Sequence, residues 1–103
     1  EQLLEDAKML ERIGCFALVL EKIPAKLAQK VAESISIPVI GIGAGSRVDG
    51  QVLVLHDMIG MTHEFSPRFL RRYMNLFEDM TKAIGQYVYD VKSVDFPNAN
   101  EQY

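Results

Sequence analysis

Glu21 is the side chain of this sequence that is best placed to do chemistry. It follows six consecutive apolar residues, 15–20, and precedes Pro24, a residue typical of the first turn of a helix. An apolar run of this length after Gly14 predicts a strand buried on both faces, as in a parallel sheet that helices cover. Parallel α/β folds place their active sites at the carboxyl ends of such strands. A carboxylate at that point is therefore a candidate catalytic group, and the alternative is a solvated acid at a strand end.

Side-chain size along the predicted strand indicates which face would carry the site. Successive side chains of a strand point to opposite faces, so Glu21 shares its face with three small or medium residues: Cys15, Ala17 and Val19. In a barrel of parallel strands the bulkier face would pack under the helices and the smaller one would face the interior. A second buried strand is predicted at 39–43, with Val39, Gly41 and Gly43 on its small face. We expect that face to leave open space beside Glu21.

A glycine-rich turn follows the second predicted strand. Residues 41–46 read Gly-Ile-Gly-Ala-Gly-Ser, and Gly43 and Gly45 could line a small-molecule site or cradle a phosphate with backbone N–H groups. The run lacks the third glycine of the dinucleotide fingerprint, and no P-loop lysine follows it. A tight turn beside a small-molecule site is therefore favoured over nucleotide binding. Binding of a phosphorylated substrate at this turn remains an alternative, with Arg47 as the one basic residue nearby.

Histidine and acidic residues occur in two adjacent pairs, at 56–57 and 63–64. They lack the i, i+4 spacing that brings two helical histidines onto one metal ion, so we predict no metal site within this chain. His56 lies in an apolar run that indicates a third strand with its core at 53–57. In that register His56 shares a face with Val54 and is expected to line the site or to form a hydrogen bond there.

Apolar residues at helical spacing predict three helices around these strands. Their expected ranges are 1–13, 24–36 and 66–92. Gly14 follows the first as a typical left-handed cap. Ser66 is a typical N-cap for the last, and Pro67 fits its first helical position. The first turns of that helix would then carry three arginines: Arg68, Arg71 and Arg72.

Composition narrows the class of protein and of ligand. The chain has 103 residues, is 49% apolar and carries a net charge of -3, which suits at most one ordinary globular domain. The acidic balance argues against a nucleic-acid or anionic-membrane partner and favours a small-molecule substrate. The single cysteine excludes an internal disulfide framework and suits the cytoplasm. No apolar run approaches the roughly 20 residues that span a bilayer, so a soluble protein is expected.

Three strand-helix units do not close a sheet. A (βα)8 barrel uses about 250 residues, or roughly 30 for each unit. The 103 residues therefore correspond to about three units, whose outer strands would present unpaired edges. The chain is either an open layered domain of its own or part of a barrel whose other strands come from elsewhere.

Three blocks of this sequence resemble, in order, the C-terminal part of the ketopantoate hydroxymethyltransferase family. They are residues 20–24 (Leu-Glu-Lys-Ile-Pro), 37–45 (Ile-Pro-Val-Ile-Gly-Ile-Gly-Ala-Gly) and 49–60 (Asp-Gly-Gln-Val-Leu-Val-Leu-His-Asp-Met-Ile-Gly). The resemblance extends over nearly the whole chain. One departure is Lys22, which stands where a cysteine or a similar residue is expected.

The resemblance implies an α/β fold made of the last three strand-helix units of a (βα)8 TIM-type barrel plus a long C-terminal helix. Residues 1–65 would belong to the barrel, and residues 66–103 would form the helix and polar tail of the same domain. The implied reaction transfers a hydroxymethyl group from 5,10-methylenetetrahydrofolate to 3-methyl-2-oxobutanoate, giving 2-dehydropantoate. Glu21 would be the general base, with four residues lining the substrate or cofactor site: Gly41, Gly43, Gly45 and His56.

The resemblance also implies partners that this chain does not supply. The Mg²⁺ ligands, and the lysine and serine that hold the keto acid, would lie in the N-terminal half of the enzyme, and the assembly would be a homo-oligomer in the cytoplasm. The isolated chain is accordingly expected to be inactive. The alternative function is that of a non-catalytic ligand-binding or assembly module derived from a barrel enzyme.

Overall fold

The computed structural model describes residues 1–103 as a mixed α/β chain. Its elements are α1 (Gln2–Arg12), β1 (Leu18–Glu21), α2 (Ala25–Ser34), β2 (Val39–Ile42), β3 (Gly50–Gln51), α3 (Leu55–Met58) and α4 (Leu76–Lys92). They fall into two compact units. The first unit consists of Glu1–Val54 with Pro67–Leu70, and the second of Leu55–Ser66 with Arg71–Tyr103.

A three-stranded parallel sheet with the order β1-β2-β3 forms the centre of the first unit. Helices α1 and α2 pack on each other, and α2 packs on β2. Between these elements lies a small apolar core, whose buried members are Ala7, Leu20, Ala28, Val31, Val39 and Ala44. The predicted α/β class with parallel strands is therefore confirmed, whereas three short strands do not constitute a barrel.

The first four elements form close to where local signals predicted them, although β1 begins at Leu18, three residues after the start of the predicted strand. Helix α1 ends before Gly14, whose φ of 98° lies in the left-handed region that favours glycine. The N–H of Cys15 donates to the carbonyl of Leu10 and closes the last turn. Helix α2 begins directly after Pro24, one residue later than predicted, because Pro24 is its N-cap with an extended ψ of 131°.

A third strand forms, as predicted, but at Gly50–Gln51 and not at 53–57. The ladder ends with the N–H of Val52, which donates to the carbonyl of Gly41, and α3 begins at Leu55. The N–H of Ile59 donates to the carbonyl of Leu55, and the N–H of Met61 donates to the carbonyl of His56. These bonds close helical turns. A short apolar run does not distinguish a strand from a buried helical turn, and here the backbone bonds form the helix.

The last helix begins nine residues later than predicted, with Asn75 and not Ser66 as its N-cap. Ser66 and Pro67 do not start it; α4 begins at Leu76 and continues without interruption to Lys92. Before it, the N–H of Tyr73 donates to the carbonyl of Met58 over 2.7 Å, so this backbone is fixed by distant carbonyls rather than by a preceding turn. The arginines at 68, 71 and 72 therefore lie outside the helix.

Arg72 organises the segment before α4 in the second unit. Its guanidinium Nη2 donates to three backbone carbonyls, those of Thr62 at 2.8 Å, His63 at 3.2 Å and Phe65 at 2.9 Å. The imidazole of His63 stacks on Phe77 of α4, with ring centroids 4.3 Å apart. A guanidinium has several donors in a fixed planar arrangement, which lets one side chain hold several carbonyls of a loop.

Glu11 joins the end of α1 to the loop that follows α2. Its Oε1 accepts from the hydroxyl of Ser36 at 2.5 Å and from the N–H of Ser36 at 2.7 Å. The hydroxyl bond, and then the N–H bond, hold the pKa of the Glu11 carboxyl below its ordinary value of 4.5.

This bond predicts a pH-dependent contribution to stability. Because the folded pKa is lowered, Glu11 stabilises the fold above the unfolded pKa, and the contribution is lost as the pH falls through the folded value. We expect Glu11→Gln to destabilise the chain at neutral pH and to have less effect as the pH is lowered below 4.5, measured by urea unfolding. Ser36→Ala should show the same trend, and the double variant should add little. A pH-independent difference between wild type and Glu11→Gln would contradict this account.

Candidate active site

Glu21 is the last residue of β1 and lies at the carboxyl end of the sheet. Its register partner is Ile42, the last residue of β2. The N–H of Lys22 donates to the carbonyl of Ile42 over 2.9 Å, and Lys22 then turns the chain with a φ of 54°. The Glu21 side chain is exposed. The structure therefore places this carboxylate where parallel α/β folds carry out their chemistry.

The strand register defines the face on which Glu21 lies. Partners in a parallel register share a face, so Glu21 lies on the same face as Ile42, while Leu20 lies with Gly41 on the other. Leu20 is 6% exposed and belongs to the core, whereas Val19, on the Glu21 face, is 64% exposed. Glu21 thus projects from the face that the helices leave uncovered, as the side-chain sizes in β1 predicted.

The same register contradicts the prediction for β2. Val39 and Gly41, expected beside Glu21, lie on the helix-covered face, and Ile40 and Ile42 lie on the Glu21 face. A Cβ added at Gly41 would lie 2.9 Å from Cγ2 of Val48, so this glycine makes room for the packing of the following loop. The small residues of β2 face the core and do not leave open space beside Glu21.

The glycine turn after β2 is tightly packed. Gly45 has a φ of 83°, and a Cβ there would lie 2.5 Å from the Cβ of Ala25, the first residue of α2. The amide of Gln51 donates to the carbonyl of Gly45 at 2.8 Å. Asp49 pairs twice with Val39, accepting from its N–H at 2.8 Å and donating to its carbonyl at 2.9 Å. These contacts agree with a tight turn, since Ala25 fills the space beside Gly45.

Phe69 is a residue of this region that lies within the helix predicted at 66–92 and was not a candidate site residue. The structure instead groups Pro67–Leu70 with the first unit and brings the Phe69 ring against Gly43. A Cβ at Gly43 would lie 2.9 Å from Cγ of Phe69. No local pattern announces this contact, because it joins a turn and a loop that are 26 positions apart in the chain.

The remaining candidate residue, His56, lies in α3 of the second unit, with an exposed side chain. It therefore does not occupy a strand face with Val54, and its role in lining a site stays a prediction. No group of three or more His, Cys, Asp or Glu side chains could hold a metal ion in this chain. No helix is both long enough and apolar enough to cross a membrane.

Helix-covered parallel strands define the α/β class, in which ligands bind at the carboxyl ends of the strands, where Glu21 lies here. Comparison with known proteins makes the assignment specific. Residues 1–99 match the model of the family described as ketopantoate hydroxymethyltransferase, and the chain belongs to this family. The resemblance predicted from the three sequence blocks is thereby confirmed.

Similar proteins in several bacteria carry the name 3-methyl-2-oxobutanoate hydroxymethyltransferase. The relative in Flavobacterium johnsoniae is 78% identical over 103 residues, that in Christiangramia forsetii 69%, and that in Porphyromonas gingivalis 67%. In each comparison all of this chain is covered, but it spans only 38% of the length of the relative. The matched portion is the C-terminal part of the enzyme.

Proposed function

We propose that this chain supplies the general base of a 3-methyl-2-oxobutanoate hydroxymethyltransferase and acts together with the N-terminal portion of that enzyme. The observation that carries the proposal is the position of Glu21. Its carboxylate ends a parallel strand, is exposed, and lies on the sheet face that α1 and α2 leave uncovered. The names of the relatives supply the substrate class.

The carboxylate of Glu21 has a defined task in this reaction. It removes the proton from C3 of 3-methyl-2-oxobutanoate, and the electron pair of that C–H bond forms the enolate. The enolate carbon then bonds to the methylene carbon of 5,10-methylenetetrahydrofolate. The two C–N bonds of that carbon are replaced by this C–C bond and by a C–O bond from water, and the two nitrogens take up the C3 proton and one proton of water. Water supplies the hydroxyl oxygen of the product, 2-dehydropantoate, and tetrahydrofolate is released.

The uncovered sheet face supports completion of the fold by further strand-helix units. Parallel sheets are normally covered on both faces, yet Val19 is 64% exposed and the outer edge of β1 has no partner strand. Further units of a (βα)8 TIM-type barrel would cover this face and enclose Glu21. Exclusion of water from a carboxylate favours its uptake of a proton, which is what a general base must do.

The proposal includes groups that the chain itself does not hold. The Mg²⁺ of the reaction would be bound by the N-terminal portion, where the family resemblance puts its ligands. The working form would be a homo-oligomer in the cytoplasm. Residues 1–65 would belong to the barrel and residues 66–103 to its C-terminal extension.

A product assay tests the proposal. The assembled enzyme is the Flavobacterium johnsoniae relative in which this chain replaces the matching segment. The two segments are 78% identical. With 3-methyl-2-oxobutanoate, 5,10-methylenetetrahydrofolate and Mg²⁺ we expect 2-dehydropantoate and tetrahydrofolate in equal amounts, measured by mass spectrometry. Omission of either substrate is the control. A folded assembled enzyme that binds the keto acid without forming product would instead indicate a non-catalytic module.

A further inference from the structure

We propose that Phe69 is a specificity-determining residue for the folate co-substrate. Its ring would form an apolar wall at the mouth of the site, against which the flat ring system of the folate packs. This inference rests on the proposed function. It concerns a residue that neither the motif at Glu21 nor the glycine turn would have identified, and it starts from the contact between Phe69 and Gly43.

Gly43 provides the surface on which the Phe69 ring is held. A Cβ added at Gly43 would lie 2.9, 3.1 and 3.3 Å from Cγ, Cδ1 and Cδ2 of Phe69, so the ring occupies the space that any other residue would need. Gly43 also has a φ of 63°, in the region that favours glycine. The sequence at this turn therefore permits a close approach of the aromatic ring to the backbone.

Gly43, which the Phe69 ring contacts, lies close to Glu21 in the backbone. Gly43 directly follows Ile42, the register partner of Glu21. From the spacing of adjacent strands and of consecutive Cα atoms, the Cα atoms of Gly43 and Glu21 are within about 9 Å of each other. Gly43 is also one residue nearer than Ile42 to the open carboxyl end of the sheet. A ligand that delivers a one-carbon unit to a substrate at Glu21 from outside would pass this turn.

The Phe69 ring presents apolar surface that Gly43 does not cover. The side chain is 39% exposed although part of its ring contacts Gly43. The segment that carries it forms a turn, in which the N–H of Leu70 donates to the carbonyl of Pro67 over 3.0 Å. An aromatic ring held in this way suits a flat heteroaromatic ligand through stacked or edge contacts. The keto acid is small and anionic and offers little surface of this kind.

The test distinguishes an effect on the KM for the folate from an effect on the KM for the keto acid. Phe69→Leu is expected to raise the KM for 5,10-methylenetetrahydrofolate about tenfold and to leave the KM for 3-methyl-2-oxobutanoate within about twofold. Phe69→Tyr, which keeps the ring, should restore the wild-type value. Phe65→Leu is the matched control, because Phe65 is also an exposed phenylalanine, at 52%, on the same stretch of chain. Equal increases in both KM values would overturn the inference, since they indicate a structural role.

A direct measurement of tetrahydrofolate binding tests the role of Phe69 independently of the proposed function. The Kd of tetrahydrofolate, measured by fluorescence titration without turnover, should rise about tenfold in Phe69→Leu and not in Phe65→Leu. If the wild type binds tetrahydrofolate but forms no product, the proposed function fails and the Kd ratio alone decides the role of Phe69. If the wild type does not bind tetrahydrofolate, or if Phe69→Leu binds it equally well, the inference is wrong.

Discussion

Replacement of Glu21 by glutamine in the assembled enzyme is expected to lower turnover by about 10²- to 10⁴-fold, the range that a positioned general base contributes. Glutamine keeps the shape of the side chain but cannot accept the C3 proton of the keto acid. Because Glu21 is exposed at the end of β1, the substitution should leave the fold and keto acid binding intact. The direct measurement is exchange of the C3 proton for deuterium, followed by NMR without the folate.

The exchange assay isolates the step that the proposed function assigns to Glu21. Enolate formation requires the keto acid and a base but no one-carbon donor, so exchange should fall together with turnover. Glu33→Gln is the matched control, because Glu33 is also exposed and makes its side-chain hydrogen bond with Gln29 on α2. That variant should leave both rates unchanged. Exchange by Glu21→Gln at close to the wild-type rate would place the base on another residue.

Local signals were sufficient for the first half of the fold. Gly14 ends α1 and Pro24 precedes α2 because their backbone preferences match those positions whatever the rest of the chain does. The apolar runs of β1 and β2 are each bounded by glycine and proline residues, which favours short buried strands over helices. The class of fold and the strand-end position of Glu21 could therefore be predicted from the sequence.

Tertiary contacts decided the parts that the sequence did not predict. Ser66 and Pro67 have the chemistry of a helix start, yet Arg72 binds the carbonyl of Phe65, and Tyr73 donates to Met58 instead of continuing a helix. These bonds hold the backbone before Leu76 in a non-helical course, and tertiary context of this kind overrides a local helix preference. The beginning of α4 at Leu76 follows from these long-range hydrogen bonds.

The two faces of β2 show a different limit of prediction from sequence. Its small and large residues alternate as clearly as those of β1, but a shift of one residue reverses which set faces the helices. The pairing of Glu21 with Ile42 fixes that choice, and side-chain size alone does not reveal it. The contact of Phe69 with Gly43 is of the same kind, because only the folded chain brings the two residues together.

Residues 1–103 on their own are expected to form no detectable product. The chain spans 38% of the length of its relatives and contains no cluster of metal ligands. The Glu21 face of its sheet also remains uncovered, with Val19 64% exposed. The base would thus lack both the groups that hold the keto acid and the dry surroundings in which it works.

Complementation provides the measurement. The N-terminal portion of the Flavobacterium johnsoniae relative, added as a separate polypeptide, should bind this chain and restore tetrahydrofolate release in proportion to the complex seen by size-exclusion chromatography. The same mixture made with Glu21→Gln should form the complex without activity, which separates assembly from catalysis. Turnover by the 103-residue chain alone that disappears in Glu21→Gln would show that these residues suffice. The remaining strands would then serve stability rather than substrate binding.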